Sequence, residues 1–417
     1  MPGTNLRFFA FFASALAALA ADATSATPSP PPVEVLYRFS GGADGGNPHG
    51  PLVEDSAGNL YGTAEYGGDA GVGVVFRLSL SKTGKWKEAV LHSFGGAGDG
   101  AYPAPGLAQD SQGNFFGATF SGGSGGGGVV FELSPGTHGT WNYSVLFGFG
   151  SADSGGGSNP SGSLALDPGG NLYGTTQLGG MVTCTNFPGP CGVVFELSPA
   201  RGGGWTENVL YSFRGPPDGS FPYASPILDG SGNLYGATSE GGKGKCNDGE
   251  GTVIGCGTVF ELAPSKNGWS ESLLYQFSAT EQNAPGSPLV FGADGSLYGV
   301  AGYDVFRLKH GARGWKKTTI HEFTEGIAGT IPSSGAVFDS AGDLYGTTTS
   351  SGLDGFSTVY ELLPRQGGAW KRVTLARLGK GFDSDQPRGG VLIAADGAIY
   401  GAASGTSAKG YVFRVAR

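Results

Sequence analysis

Charge is scarce in this sequence, and positive charge is the scarcer kind. Of 417 residues only 25 are Lys or Arg, against 34 Asp or Glu, which gives a formal net charge of −9. Holding a nucleic-acid backbone takes clustered cations, so no nucleic-acid partner is expected, and the mild acidity reads as a solubility feature. The five histidines are scattered over His49, His92, His138, His310 and His321. No His-Glu-x-x-His motif occurs, which removes the commonest zinc-hydrolase signature. A Gly-x-Ser-x-Gly match at Gly122 to Gly126 lies inside a glycine run with no strand-to-helix elbow, and reads as chance. No stretch after the N-terminus keeps a 3.6-residue apolar period, so helix should be nearly absent. Nor does any later apolar run approach the ~20 residues of a membrane span.

The four cysteines form no Cys-x-x-Cys pair, which argues against zinc. Cys184 and Cys191 share one loop and Cys246 and Cys256 another, so two local disulfides formed in an oxidising compartment are expected. The N-terminus fits export. Arg7 precedes an apolar run from Phe8 to Ala20, and Ala18-Leu19-Ala20 offers a small-x-small cleavage site, with alternatives up to Ala26. Residues 1–26 read as a signal peptide cleaved somewhere in 20–26. Residues 27–32, TPSPPP, read as a stiff extended linker.

Glycine dominates what remains: 81 residues, against a usual share of ~7%. The glycines keep fixed places in a long repeat. One strand occurs seven times, as GNLYGT from Gly58, GNFFGA from Gly113, GNLYGT from Gly170, GNLYGA from Gly232, GSLYGV from Gly295, GDLYGT from Gly342 and GAIYGA from Gly397. The spacing of 47 to 63 residues between these glycines suits a four-stranded propeller blade. With the strands lettered A to D, this one is B. Strand A ends at Asp55, Asp110, Asp167, Asp229 or Asp339, three residues before the glycine. Asp-x-x-Gly-Asn is hairpin-turn chemistry. A ring of such aspartates could also hold calcium, but turn capping explains them without an ion. Strand C reads VVFRL, VVFEL or TVFEL. Strand D follows one of six tryptophans (Trp86, Trp141, Trp205, Trp269, Trp315 and Trp370), read as a packing ring. His92 and His321 take a strand-D position that is aromatic elsewhere and read as packing residues.

A seventh D strand stands alone at the start, Val33 to Phe39, and the chain ends on an A–B–C set. The two ends complete one another, which is how a propeller closes. The expected fold is all-β: one seven-bladed β-propeller over residues 33–417, with the N-terminal strand joining the last blade.

Units of the form DGxxP…L…D…GNLYGTT…GG…G…VFEL…W…VL…F resemble the GloVer tandem repeats of exported bacterial proteins grouped under the "choice-of-anchor" label. The resemblance covers about Val33 to Arg417 and implies an exported, propeller-like repeat protein with no established activity or catalytic residues. Members of that family can carry a C-terminal surface anchor, whereas this sequence ends with its last strand at Arg417.

Strand order puts the short A–B and C–D turns on one face and the long, variable B–C and D–A loops on the other, where ligand contacts usually reside. The D–A loops carry an acid four residues before a proline: Asp44, Asp99, Asp218, Glu281 and Asp383. Asp153 before Pro160 is a stretched version, and Thr330-Ile331-Pro332 lacks the acid. Such a ring could hold a cation or meet hydroxyl-rich glycans; the plainer alternative is solvent-facing Asp-Gly turns. Tyr102, Phe221, Tyr223 and Phe187 in the same region could stack on a sugar or peptide. A channel metal would need carboxylates on strand A, whose residues are Leu, Val, Ala and Ile with Glu54 the main exception. The expectation is a monomeric binding module for a glycan or an envelope protein, without cofactor. A polysaccharide hydrolase or lyase and an envelope scaffold are the alternatives.

Overall fold

Alternating apolar residues on short strands cannot bury both faces alone, and here they do so by stacking sheet on sheet around an axis. The computed structural model describes residues 33–417 except 186, 188, 250, 282–283, 324–330, 334, 350–355, 381–385 and 406–408. The expected signal peptide and linker lie outside the described residues. Seven antiparallel sheets form the ring, each ordered A–B–C–D from the axis outward. In the third blade the strands are Ala165–Leu166, Leu172–Gly179, Val193–Pro199 and Trp205–Ser212. Helix is confined, among the described residues, to four single turns of 3₁₀ geometry. The last sheet is completed by Glu34–Phe39, which runs antiparallel to Gly410–Val415, with Glu34 opposite Arg414 and Phe39 opposite Gly410.

The A–B hairpins are closed by their aspartates. Asp55 accepts hydrogen bonds from the Ala57 and Asn59 N–H groups, the Asn59 amide and the Tyr61 hydroxyl. Asp110, Asp167, Asp229 and Asp339 repeat most of this set.

The second glycine of the repeated strand is explained by packing. Gly174 lies directly opposite Phe195 on strand C. A Cβ on Gly62 would come within 2.7 Å of Phe76 Cζ, and one on Gly299 within 2.7 Å of Phe306 Cζ. The other five copies are tighter still, with Tyr360 replacing the phenylalanine in the sixth blade. Six of the seven rings also meet the aromatic that ends strand D of the preceding blade; before Phe413 that place is taken by Leu378. Phe94 packs edge-on to Phe131 at 5.3 Å, Phe149 to Phe195 at 5.1 Å, and Phe39 to Phe76 at 4.9 Å across the closure. The zipper therefore runs between blades.

The tryptophans add a second layer between blades. Trp141 packs on Tyr61, Trp205 on Phe116, Trp269 on Tyr173, Trp370 on Tyr298 and Trp86 on Tyr400, each reaching strand B of the blade before. The N-terminal D strand has no tryptophan to cover Tyr345. Arg417 stands in its place, with its guanidinium 4.9 Å from the Tyr345 ring centre and paired with Asp339.

Strand A departs from a simple reading. Outside the first blade it is broken into short pieces, as at Ala101–Pro103 and Ala108–Gln109. In the first blade its register slips between His49 and Val53. The intervening residues are rich in Pro and Gly, so the segment leaves the ladder and turns its backbone toward the axis.

Candidate functional site

The segments that leave the strand-A ladder meet around the axis on the face of the B–C and D–A loops. They contribute residues from all seven blades, among them Pro51, Pro105, Ser163, Ser225, Ser287, Val337 and Arg388, to the wall of a cavity of about 280 Å³. Close approach keeps the mouth narrow: a Cβ on Gly162 would meet the Ser225 backbone nitrogen at 2.6 Å. Hydroxyls stitch the wall, with Ser163 and Ser225 Oγ 2.8 Å apart. Among the described residues the wall offers no carboxylate, imidazole or thiol, and Arg388 is its one charged side chain. Arg388 donates to Gln386 Oε1 from Nε and Nη2.

Next to this cavity, and sharing Pro105 and Tyr223 with it, a groove of about 380 Å³ crosses blades one to four. Its walls carry Tyr66, Tyr102, Phe120 and Tyr223, which are 36%, 37%, 39% and 44% exposed, an unusual concentration of water-facing aromatics. Tyr66 and Tyr102 meet edge to face at 5.8 Å. His49, Glu65, Ser161 and Gln177 supply the polar rim. Asn47 Nδ2 donates to Glu65 Oε2 at 2.7 Å, and His49 Nδ1 lies 3.2 Å from the Asn47 carbonyl. Burial holds the His49 imidazole below its ordinary value, and the Arg388 charge acts in the same direction against the opposing pull of Glu65.

The backbone beneath the groove is strained. In the first four blades the residue before the loop proline is left-handed: Asn47, Tyr102, Asn159 and Phe221 have φ of 58°, 56°, 61° and 53°. For a bulky residue this conformation costs of order 1 kcal/mol or more. Ala284, Ile331 and Gln386, at the same place in blades five to seven, do not adopt it. The strain is held by the preceding blade. The Tyr102 N–H donates to Val72 O at 2.7 Å, Asn159 to Gly127 O at 2.8 Å and Phe221 to Cys191 O at 2.9 Å.

Of the residues singled out from the sequence, Tyr102 and Tyr223 come together in the groove. Phe221 packs instead against Phe187 of the Cys184–Cys191 loop, at 5.4 Å. Both expected disulfides are formed. The D–A acids do not converge. Each is bound to the outer strand of its own repeat: Asp44 accepts from the Tyr37 hydroxyl and Ser40 N–H, Asp218 from Tyr211 and Arg214 N–H, and Glu281 from Tyr275 and Ser278 N–H. Asp99 accepts from Gly95 N–H and pairs with His92 Nε2 at 3.0 Å. None of these four lines the axial cavity or the groove. Asp383 lies outside the described residues. A larger recess of about 530 Å³ holds Glu281, but Lys317 already bridges Glu281 and Asp304 there, at 2.7 and 3.7 Å. Tyr66, Phe120, His49, Gln177 and Arg388 were not anticipated. One signal was present for part of the set: the seventh residue after the repeat's opening glycine is large in blades one to three (Glu65, Phe120, Gln177) and small afterwards (Ser239, Gly302, Thr349, Ser404).

Two acids behind the loops titrate unusually. Burial, reinforced by a neighbouring aspartate (Asp44 and Asp218 respectively), pushes Glu88 and Glu271 up to about 7, and each has a buried oxygen with no partner. Their folded values exceed the unfolded ~4.3. The stability they confer is therefore complete below about pH 4 and is lost as pH rises toward 7. The hairpin aspartates act oppositely. Burial pushes Asp55, Asp167, Asp229 and Asp339 up, but their hydrogen bonds outweigh it and lower them, so their contribution is lost as pH falls below about 4. The melting temperature should peak near pH 4–5 and decline toward pH 8. Because both glutamates are only partly buried, solvent screening limits the decline to about 1 kcal/mol per site. The double variant Glu88→Gln/Glu271→Gln should lose less stability between pH 5 and 8 than the native protein. An equal decline in the two proteins would contradict this assignment.

Comparison with known proteins bears on the fold and the family. No curated protein sequence matches the chain. Among solved structures, one assigned as a 6-phosphogluconolactonase of Bacteroides uniformis is similar with a TM-score of 0.50 and 14% identity, covering 83% of this chain and 88% of that one. A gluconolactonase of Xanthomonas campestris gives 0.42 and 11%, covering 82% and 89%. At such identity the likeness is one of fold. The family model of the Gloeobacter/Verrucomicrobia repeat matches residues 24–252 and again 246–417. The chain belongs to the Gloeobacter/Verrucomicrobia repeat family, in agreement with the GloVer resemblance of its units.

Proposed function

We propose that the chain is an exported, non-enzymatic binding module that takes a glycan chain along the groove of blades one to four. The observation that carries this reading is the row of four water-facing rings, Tyr66, Tyr102, Phe120 and Tyr223, in one groove rimmed by His49, Glu65 and Gln177. Apolar sugar faces stack on aromatic rings while their hydroxyls need donors and acceptors alongside, and the groove offers both. The strained backbone at Tyr102 supports it further, because strain of this kind persists where surrounding structure is organised to hold a side chain in place. Two disulfides and the signal-like N-terminus support export.

Retention on a glycan array, followed by calorimetry on the hits, tests the reading. Tyr102→Ala and Tyr223→Ala should each weaken binding at least tenfold, about 1.4 kcal/mol, with an unchanged melting temperature for Tyr223→Ala. Undiminished binding in both variants would overturn the groove assignment. A hydrolase or lyase reading has one observation in its favour, the presence of His49 and Glu65 in the same groove. It requires turnover in a polysaccharide panel that Glu65→Gln abolishes.

A further inference from the structure

Resting on that glycan-binding reading, we infer that the axial cavity is a subsite for the carboxylate of an acidic sugar, so that the ligand is a uronate-containing glycan whose charged residue meets Arg388 while its neighbours lie along the groove.

Four observations converge on this. The cavity and the groove are contiguous, sharing Pro105 and Tyr223, so one ligand can occupy both. The cavity, at about 280 Å³, lies just below the ~300–1,000 Å³ typical of small-molecule sites. It suits a single sugar ring better than a chain. Arg388 is the one charge on its wall among the described residues, in a molecule of net charge −9. Finally, the guanidinium is exposed and bonds only the neutral Gln386 amide oxygen, with no ion pair among the described residues.

Five cations elsewhere in the last three blades are paired with acids: Lys317 with Glu281, Arg307 and Lys309 with Asp294, Arg414 with Asp396, and Arg417 with Asp339. Arg388 differs from these in lining the axial cavity, with no acid partner among the described residues. Its planar fork fits a carboxylate in bidentate fashion. Among the described residues, the remaining wall of Gly, Pro, Ser, Ala, Val and Tyr223 brings no competing acid to the cavity. Glu65 lies on the groove side, bonded to Asn47, where it can accept sugar hydroxyls.

The test is an array that pairs each uronate-containing oligosaccharide with its carboxyl-reduced counterpart, read at low and high salt with the full chain. The acidic member of a pair should bind at least tenfold more tightly, and salt should shrink the difference. Arg388→Gln should erase the difference by weakening the acidic member at least tenfold more than the reduced one, whereas Tyr102→Ala should weaken both members together. If reduced and acidic sugars bind alike, or if Arg388→Gln weakens both equally, the carboxylate subsite is wrong while the groove reading stands. If neither member of any pair is retained, the groove reading itself falls, and this inference with it.

Discussion

A chain that lacks residues 33–40 is expected to lose its soluble, cooperative fold, the largest effect that any short deletion should have here. The segment supplies the outer strand of the last blade, pairing five residues with Gly410–Val415. It buries Leu36 and Phe39, which are 9% and 3% exposed, worth about 1.5–3 kcal/mol each. Phe39 also packs edge-on against Phe76 of the first blade, so the deletion opens the seam between first and last blades as well as the sheet. Together these losses approach or exceed about 5 kcal/mol, a large part of the ~5–15 kcal/mol that holds a domain together. The new edge strand carries Val412 and Phe413, both fully buried in the intact ring, and an uncovered apolar edge invites association. Loss of monomer in size-exclusion chromatography, with a melting transition lowered by 10 °C or more, is the expected result. A circular permutant that carries residues 33–40 after Arg417 should recover the fold, because Glu34 already sits opposite Arg414 and a short C–D turn would join them as in the other blades. An unchanged melting temperature for the simple deletion would refute the closure.

The architecture was legible because it rests on local chemistry repeated seven times. Asp-x-x-Gly-Asn turns, the paired Gly and Phe of strands B and C, and the tryptophan at the start of D each act within a blade or on the next one, so their spacing carries the fold. The site was less legible, for two physical reasons. The axial cavity is made of one Pro/Gly-rich segment from every blade, and nothing in a single segment says that seven will meet. The acids of the D–A loops, conversely, stood out by spacing alone, while their partners lay six or seven residues upstream: Tyr37, His92, Tyr211 and Tyr275 reach Asp44, Asp99, Asp218 and Glu281. Where strand D has Phe147 instead, no such donor exists, and Asp153 is exposed. That contrast in the sequence marks the acids as fasteners of the loop to its own strand. The left-handed residue before the loop proline of the first four blades is the least predictable feature, since Tyr102 and Phe221 are poor candidates for it by type and adopt it only through the preceding blade.

Gly174→Ala should destabilise the ring by about 3 kcal/mol or more, at the upper end of what one added methyl group costs in a packed core. The substitution is small, and strand B tolerates alanine one residue later in sister blades, as at Ala118 and Ala237. At Gly174 the added carbon would meet Phe195 Cε1 at 2.8 Å and Leu164 Cδ2 at 2.9 Å. Neither can withdraw, because Phe195 is fully buried and braced edge-on by Phe149 of the preceding blade at 5.1 Å. Strain at one glycine is thus transmitted to the seam between two blades. A double-mutant cycle separates this account from a generic loss of strand flexibility. Phe195→Leu alone should cost roughly 1 kcal/mol or more through lost packing, yet in the Gly174→Ala background it should restore stability, giving a coupling above ~1 kcal/mol in urea denaturation. Simple additivity of the two changes would show that the ring is not what the glycine makes room for.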